Sequence, residues 1–251
     1  MINFKSRVAL VTGGSRGIGA SCVKYFAINH CSVAFTYNKS YNDAQKLVKR
    51  FSKLTKCRAY KADVSKFDEI KICVEKVIND FGQIDFLINN AGIWKEGKID
   101  KMSVEDCAET IQVNLTSAFY FSKLVVPYMK KKRFGRIINI SSTAGQRGDA
   151  KYSHYAASKG GLIAFSKSLA EELAEFNILV NCVAPGWVWT DMSIQYLSNK
   201  ENLEKEINEI PLRKIPSPDD IAGPVIFLAS DLAKHITGEV INVNGGSLMC
   251  G

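Results

Sequence analysis

Short apolar runs alternate with longer amphipathic ones along almost the whole chain, and this alternation narrows the possible folds more than any other feature. "VALVT" (Val8 to Thr12), "SVAFTY" (Ser32 to Tyr37), "CRAYKAD", "IDFLIN" (Ile84 to Asn89), "RIINIS" (Arg136 to Ser141) and "ILVNCVA" (Ile178 to Ala184) read as strands, and "EVINVNGG" holds the last one. Between them, Gly17 to His30, Asn42 to Leu54, Lys66 to Phe81, Ser103 to Lys131, Tyr155 to Phe176 and Pro218 to Ala229 carry helical spacing, with a break expected near Asn114. Strands that are apolar throughout must be buried on both faces, which requires helices above and below the sheet. Repeated strand–helix–strand units give parallel pairing.

The expected fold class is therefore α/β: a Rossmann-type, doubly wound parallel sheet of about seven strands, with helices on both faces. A chain of 251 residues with 46% apolar composition suits one domain, 1–251, better than two. No stretch reads as an interdomain linker. One segment breaks the rhythm. Pro185 to Pro218 is long, charged ("NKENLEKEINE") and bounded by prolines, so residues near 186–217 are expected to form a substrate lid inserted in the domain.

Composition closes off several function classes. The 33 basic and 25 acidic residues leave a formal charge of +8, which favours acidic partners or substrates such as phosphates, nucleotides or an acidic carrier protein. No zinc-finger spacing, basic zipper or basic stripe interleaved with aromatics is present, so no nucleic-acid partner is expected. The seven cysteines are odd in number and form no C-x-x-C pair, and the three histidines are scattered. Neither a disulfide framework nor a metal site is expected, and reduced thiols point to a cytoplasmic location. The N-terminus lacks signal-peptide architecture, and no apolar window is long enough for a membrane span.

"VTGGSRGIG" follows the first strand and opens the first helix. Gly13, Gly17 and Gly19 allow a tight turn, and the backbone of Gly13, Ser15, Arg16, Gly17, Ile18 and Gly19 is expected to approach a pyrophosphate at the helix N-terminus. The tip of the second strand reads Tyr37, Asn38, Lys39, with no acid to bond a ribose 2′-hydroxyl. Lys39 and the nearby Arg16 favour a 2′-phosphate instead, so the expected cofactor is NADPH rather than NADH.

The order and spacing of "TGGSRGIG", "NNAG" (Asn89 to Gly92), "NISS" (Asn139 to Ser142), "YAASK" (Tyr155 to Lys159) and "APGWVWTDM" (Ala184 to Met192) resemble the short-chain dehydrogenase/reductase family, and the resemblance runs down to "FLASDLAKHITGEVINVNGG". Within that family the chain looks most like bacterial 3-oxoacyl-[acyl-carrier-protein] reductases, enzymes of fatty acid biosynthesis. Tyr155 and Lys159 are four apart, so on a helix they share a face. A phenol titrates near 10, and a neighbouring ammonium is expected to lower that value and make Tyr155 a general acid. The resemblance assigns the same roles: Tyr155 as proton donor, and Lys159 as the group that tunes it and bonds the nicotinamide ribose. It also implies that Ser142 holds the substrate oxygen and that Asn114 supports a water or proton relay to the lysine. Further cofactor contacts implied are Asp63 and Val64 at the adenine, Asn90, Ala91 and Gly92 along the ribose, and Pro185, Gly186, Val188 and Thr190 at the nicotinamide. Asn89 and Asn139 read equally well as structural, and Val188 as loop packing. Tyr152 reads as a packing or pocket residue, Ser158 as packing, and His154 as structural or surface.

Trp187, Trp189 and Met192 suggest an apolar or extended substrate tail, although one tryptophan at least would serve to anchor the loop. In carrier-protein reductases an arginine at the position of Arg133 helps bind the acidic carrier, while a second basic position of that family falls on Phe176 here. The resemblance also implies a homotetramer in which the helices holding Asn114 and Tyr155 pair across one interface. The expected activity is NADPH-dependent reduction of a 3-oxoacyl thioester, on acyl carrier protein or CoA, to the 3-hydroxyacyl form. Reduction of a sugar, steroid or small ketone is the alternative, and a non-catalytic dinucleotide sensor a more distant one, disfavoured by the intact Ser142, Tyr155 and Lys159.

Overall fold

The structure, a computed structural model, describes residues 2–250. Seven parallel strands form one sheet: β1 (Val8–Val11), β2 (Ser32–Tyr37), β3 (Cys57–Lys61), β4 (Phe86–Asn89), β5 (Gly135–Ile140), β6 (Ile178–Pro185) and β7 (Val240–Val243), in the order β3-β2-β1-β4-β5-β6-β7. The class inferred from the alternating runs is the class observed. Side chains alternate across each strand, and both sets are apolar. Val11, Phe35, Phe86 and Ile88 point to one face, and Leu10, Ala34, Leu87 and Ile137 to the other.

The first face is covered by α1 (Gly17–Ile28) and α10 (Pro218–Ala229), through residues such as Val23, Phe26, Ile221 and Val225. The second is covered by α3 (Phe67–Phe81), α5 (Ser117–Lys132) and α7 (Ser153–Leu173), through Ile70, Val74, Phe121, Val125 and Leu173. Local chemistry sets the boundaries. Gly82, at φ +79°, stops α3 in a left-handed cap. Ser217 and Asp220 form a reciprocal capping box, with Pro218 at the first position of α10.

α2 (Tyr41–Phe51) follows β2, and α4 (Val104–Ile111) precedes α5. The break expected near Asn114 is a π-helical turn, Gln112–Thr116, that joins α4 to α5. The segment expected to form a lid carries more regular structure than its charged sequence suggests. It folds into α8 (Ile194–Leu197) and α9 (Lys200–Glu209), which gather Leu197, Ile210 and Ile215 into a small core of their own. No helix among the described residues is long and apolar enough to cross a membrane.

The strand order reverses between β1 and β4. Connections from these neighbours leave in opposite directions, so a crevice opens above their carboxyl ends. Every element of the site described next converges on it.

Candidate active site

A cavity of about 920 Å³ occupies the crevice. Its floor is the turn after β1. Gly13 takes φ +62°, and its N–H donates to Thr36 Oγ1 at 3.0 Å. Thr12 Oγ1 accepts from the N–H groups of Asn90 (3.0 Å) and Ala91 (2.9 Å), and Asn90 Nδ2 donates back to the Thr12 carbonyl at 2.9 Å. The "NNAG" turn is thereby fastened to the glycine turn. Gly13, Ser15, Arg16, Gly17 and Ile18 line the cavity, as do Asn90, Ala91 and Gly92. Gly19 does not line it. A Cβ there would stand 2.3 Å from the Gly13 carbonyl oxygen, so this glycine serves the close approach of α1 to the turn.

Tyr37, Asn38, Lys39, Asp63 and Val64 line one end of the cavity. Asp63 is occupied locally: its carboxylate accepts from the N–H (3.0 Å) and the hydroxyl (2.7 Å) of Ser65. Pro185, Gly186, Val188 and Thr190 line the far side. Arg16 reaches across the mouth to Asp191 of the lid segment at 3.5 Å. Both side chains are well exposed, so the pair guides more than it stabilises.

Ser142, Tyr155 and Lys159 meet on the same wall. Ser142 lies just beyond β5, where its Oγ accepts the Ala144 N–H at 3.1 Å. α6 (Ala144–Arg147) then crosses α7 so closely that a Cβ on Gly145 would stand 2.5 Å from the Lys159 carbonyl carbon. That crossing sets Ser142 beside the helix carrying the other two. Tyr155 is half-buried and Lys159 is buried, with Nζ 5.8 Å from the Tyr155 ring centroid. Lys159 Nζ donates to the Ile140 carbonyl at 2.7 Å.

Their electrostatics differ from the expectation. Burial pushes the Tyr155 phenol up to about 12, although the Ser142 hydroxyl, donating to the phenolate, works the other way. Burial likewise pushes the Lys159 ammonium down to about 8. The loss of water around each group sets the direction of both shifts. The phenol therefore holds its proton at neutral pH, which is the form a proton donor requires.

Asn114 stands behind the cavity wall rather than in it. Its Oδ1 accepts the Ile93 N–H at 2.8 Å, while its Nδ2 donates to the Ile93 carbonyl at 3.0 Å and to Ser158 Oγ at 3.1 Å. It binds the loop after β4 to α7, and no bond to Lys159 is formed. Ser158 is fully buried, with its hydroxyl donating to the Tyr155 carbonyl at 2.7 Å. Asn139 Nδ2 donates to Ser166 Oγ, and Asn89 Nδ2 to Asn139 Oδ1, which makes the structural reading of this pair the apt one. His154 is buried against α4, off the cavity wall, with neither ring nitrogen hydrogen-bonded.

Beside the expected Tyr152 and Trp187, the cavity is lined by residues the sequence does not single out. Trp94, Tyr152, Trp187 and Tyr196 line the cavity together, as does the buried carboxylate of Glu206, which accepts from the Tyr196 hydroxyl at 3.0 Å. Trp94 follows "NNAG" by two positions, a nearness that is the one signal for it in the sequence. Trp189 packs in the small core of the lid segment and anchors it.

Comparison with known proteins now decides the family. The model of a family described as enoyl-(acyl carrier protein) reductase matches residues 13–247. The chain is 41% identical over 248 residues to the 3-oxoacyl-[acyl-carrier-protein] reductase FabG of Escherichia coli, covering 99% of this chain and 100% of that one. It is 39% identical to the proteins of the same name from Staphylococcus epidermidis, over 97% of this chain and 100% of that one, and from Thermotoga maritima, over 98% and 99%. The chain belongs to the short-chain dehydrogenase/reductase family.

As a member of that family the protein is an oxidoreductase that uses a nicotinamide dinucleotide and acts on a ketone or alcohol. Its own residues fit such a cofactor. α1 begins with no side chain capping it and no acid in its first turn, and residues 15–18 line the cavity there. An uncapped helix N-terminus of this kind is a donor set for a pyrophosphate. No carboxylate stands at the tip of β2. These residues would offer N–H groups and cations to the phosphates of such a dinucleotide.

Proposed function

We propose that the protein reduces a 3-oxoacyl thioester, carried on acyl carrier protein or CoA, to the 3-hydroxyacyl form, with NADPH preferred over NADH. The observation that carries this reading is the match, near 40% identity over almost the whole length, to relatives named for that reaction. The convergence of Ser142, Tyr155 and Lys159 on one cavity wall supports it. We read residues 1–251 as one catalytic domain, with a substrate lid near 186–217.

When bound, the reduced nicotinamide supplies the hydride that ketone reduction requires. Ser142 donates a hydrogen bond to the carbonyl oxygen as negative charge develops there. Tyr155 gives its phenolic proton to that oxygen, which leaves an alcohol and a phenolate. Lys159 supplies the positive charge that stabilises the phenolate until it regains a proton from water. Asn114 is a positioning residue: it fixes the loop at Ile93 and the Ser158 side chain on α7. The turn residues Gly13, Ser15, Arg16, Gly17 and Ile18 seat the phosphates, while Gly19 lets α1 approach the turn, with Tyr37, Asn38, Lys39, Asp63 and Val64 around the adenosine. Asn90, Ala91 and Gly92 border the ribose, and Pro185, Gly186, Val188 and Thr190 the nicotinamide. Arg16 and Lys39 favour the 2′-phosphate of NADPH.

Arg133 caps the C-terminus of α5 in a left-handed conformation beside Lys130, Lys131 and Lys132. The ring of Phe176 lies 4.4 Å from Lys130 Nζ and 6.0 Å from the Arg133 guanidinium carbon, so an aromatic platform holds both cations where the family has a second basic residue. This cluster sits at the amino edge of β5, opposite the cavity. We read the cluster as a docking site for an acidic carrier protein, and the protein as a homotetramer of the kind the family implies. A cytoplasmic location fits the seven free cysteines.

NADPH and NADH oxidation with acetoacetyl-acyl carrier protein, acetoacetyl-CoA and a panel of sugars, steroids and small ketones tests the reading. We expect thioester turnover, with NADPH favoured by about tenfold or more. Turnover confined to free ketones would replace the substrate class, and tight NADPH binding with no turnover would make the protein a sensor.

A further inference from the structure

Four aromatic rings from separate parts of the chain line the cavity beside Ser142 and Tyr155. Tyr152, at the start of α7, stacks on Trp94 from the loop after β4, with centroids 4.5 Å apart and planes 11° apart. Trp187 and Tyr196, from the lid segment, stack at 4.7 Å and 5°. The two pairs meet through Trp94 and Trp187 at 5.7 Å and 88°. The result is a corner, one wall formed by the loop after β4 and the start of α7, and the other by residues 187–196. All four rings are half-buried; each gives one face to its stacking partner, and the perpendicular contact takes the second face of one tryptophan as well. What remains for the cavity is the outer faces of Tyr152, Tyr196 and the other tryptophan, and the ring edges. Burial pushes the Tyr152 and Tyr196 hydroxyls up to about 12, so both stay neutral.

A saturated acyl chain asks only for apolar area. A corner presenting faces and edges at right angles also carries an ordered quadrupole, which a planar π-system answers by stacking on one wall and meeting the other edge-on. We propose, on the reading of this protein as a 3-oxoacyl thioester reductase, that the corner selects thioesters whose acyl group carries an aromatic ring over saturated acyl groups of the same size.

The test compares kcat/KM for 3-oxo-5-phenylpentanoyl-CoA and 3-oxo-5-cyclohexylpentanoyl-CoA. The ring is equally far from the ketone in both, so intrinsic reactivity is matched and planarity is the main variable. A wall acting through area alone favours the cyclohexyl compound, which is larger and less polar. We expect the phenyl compound to be favoured about two- to tenfold. That ratio should fall to about one or below in Trp94→Leu and in Trp187→Leu, and be restored in Trp94→Phe. Tyr152→Leu replaces either leucine variant that does not fold. Equal rates in the unsubstituted enzyme, or a preference that survives the leucine variants, overturns the proposal. Acetoacetyl-CoA, which has no ring, keeps the two readings apart. Its turnover without a phenyl preference sinks the aromatic corner alone. No thioester turnover, with 4-phenylbutan-2-one reduced faster than 4-cyclohexylbutan-2-one, sinks the thioester reading and leaves the corner standing.

Discussion

Tyr155 keeps its proton because burial disfavours the phenolate, and Lys159 gives its proton up more readily because burial disfavours the ammonium. Each consequence can be measured. Tyr155→Phe removes the proton and little else, so kcat should fall by about 10²- to 10⁴-fold while the dissociation constant for NADPH stays nearly unchanged. A variant that keeps most of its rate would remove Tyr155 from the acid's role. For Lys159 the linkage runs in one direction. The unfolded lysine titrates near about 10.4, well above its folded value of about 8, so between these values the unfolded chain binds more protons. Stability contributed by this group is lowest below the folded pKa and rises with pH through that window. Lys159→Met abolishes the dependence. Its advantage over the unsubstituted protein, measured by urea titration without nucleotide, should shrink by about 2–3 kcal/mol between about pH 7 and pH 10. An advantage independent of pH would mean that the amine is not buried as described.

At the scale of elements, two helices are placed by what is missing from their glycines. The crossing of α6 over α7 has no room for a methyl group at Gly145, which would also stand 2.7 Å from the Gly160 nitrogen. The obstacle is helix backbone, so the loop carrying Ser142 must move. Gly145→Ala should cost about 1–3 kcal/mol and lower kcat beyond any loss of folded protein, as judged by thermal melting and turnover on the same sample. Gly223, in the middle of α10, is the counterpart: outside its own helix nothing lies within 4 Å of an added Cβ. Pro224 follows, however, and its ring disfavours helical backbone for a residue carrying a Cβ, so Gly223→Ala should shift stability by less than about 0.5 kcal/mol, read in the urea midpoint. The sequence is informative at this scale where periodicity is local. The break near Asn114 is visible as a lapse in helical spacing and becomes the π-helical turn. The charged run "NKENLEKEINE" reads as loop because its apolar residues are few, yet Leu203 and Ile207 suffice to dock α9 on the small core of the lid segment.

Across the whole molecule, the edge of the sheet away from the cavity is held by charge. Asp85, buried at the start of β4, accepts from the Val8 N–H at 2.8 Å, Gln83 Nε2 at 2.7 Å, Arg7 at 3.2 Å and Lys132 at 2.6 Å. These bonds join β1, β4 and α5. Asp85→Asn should therefore cost about 2–4 kcal/mol in urea while leaving kcat of the folded enzyme near its original value. An equal loss of kcat would mean that the two edges of the sheet are coupled. The layered order of strands and helices, the glycine turn and the Tyr155–Lys159 spacing are determined by the sequence itself, because each rests on short-range periodicity and on residues that few alternatives can replace. The tertiary structure decides the rest. Desolvation sets the protonation of the phenol and of the amine, Asn114 bonds Ile93 and Ser158 rather than the lysine, and Trp94, Tyr152, Trp187 and Tyr196 meet at a corner. All three depend on close packing between segments distant in the chain, a quantity that spacing along the chain does not carry.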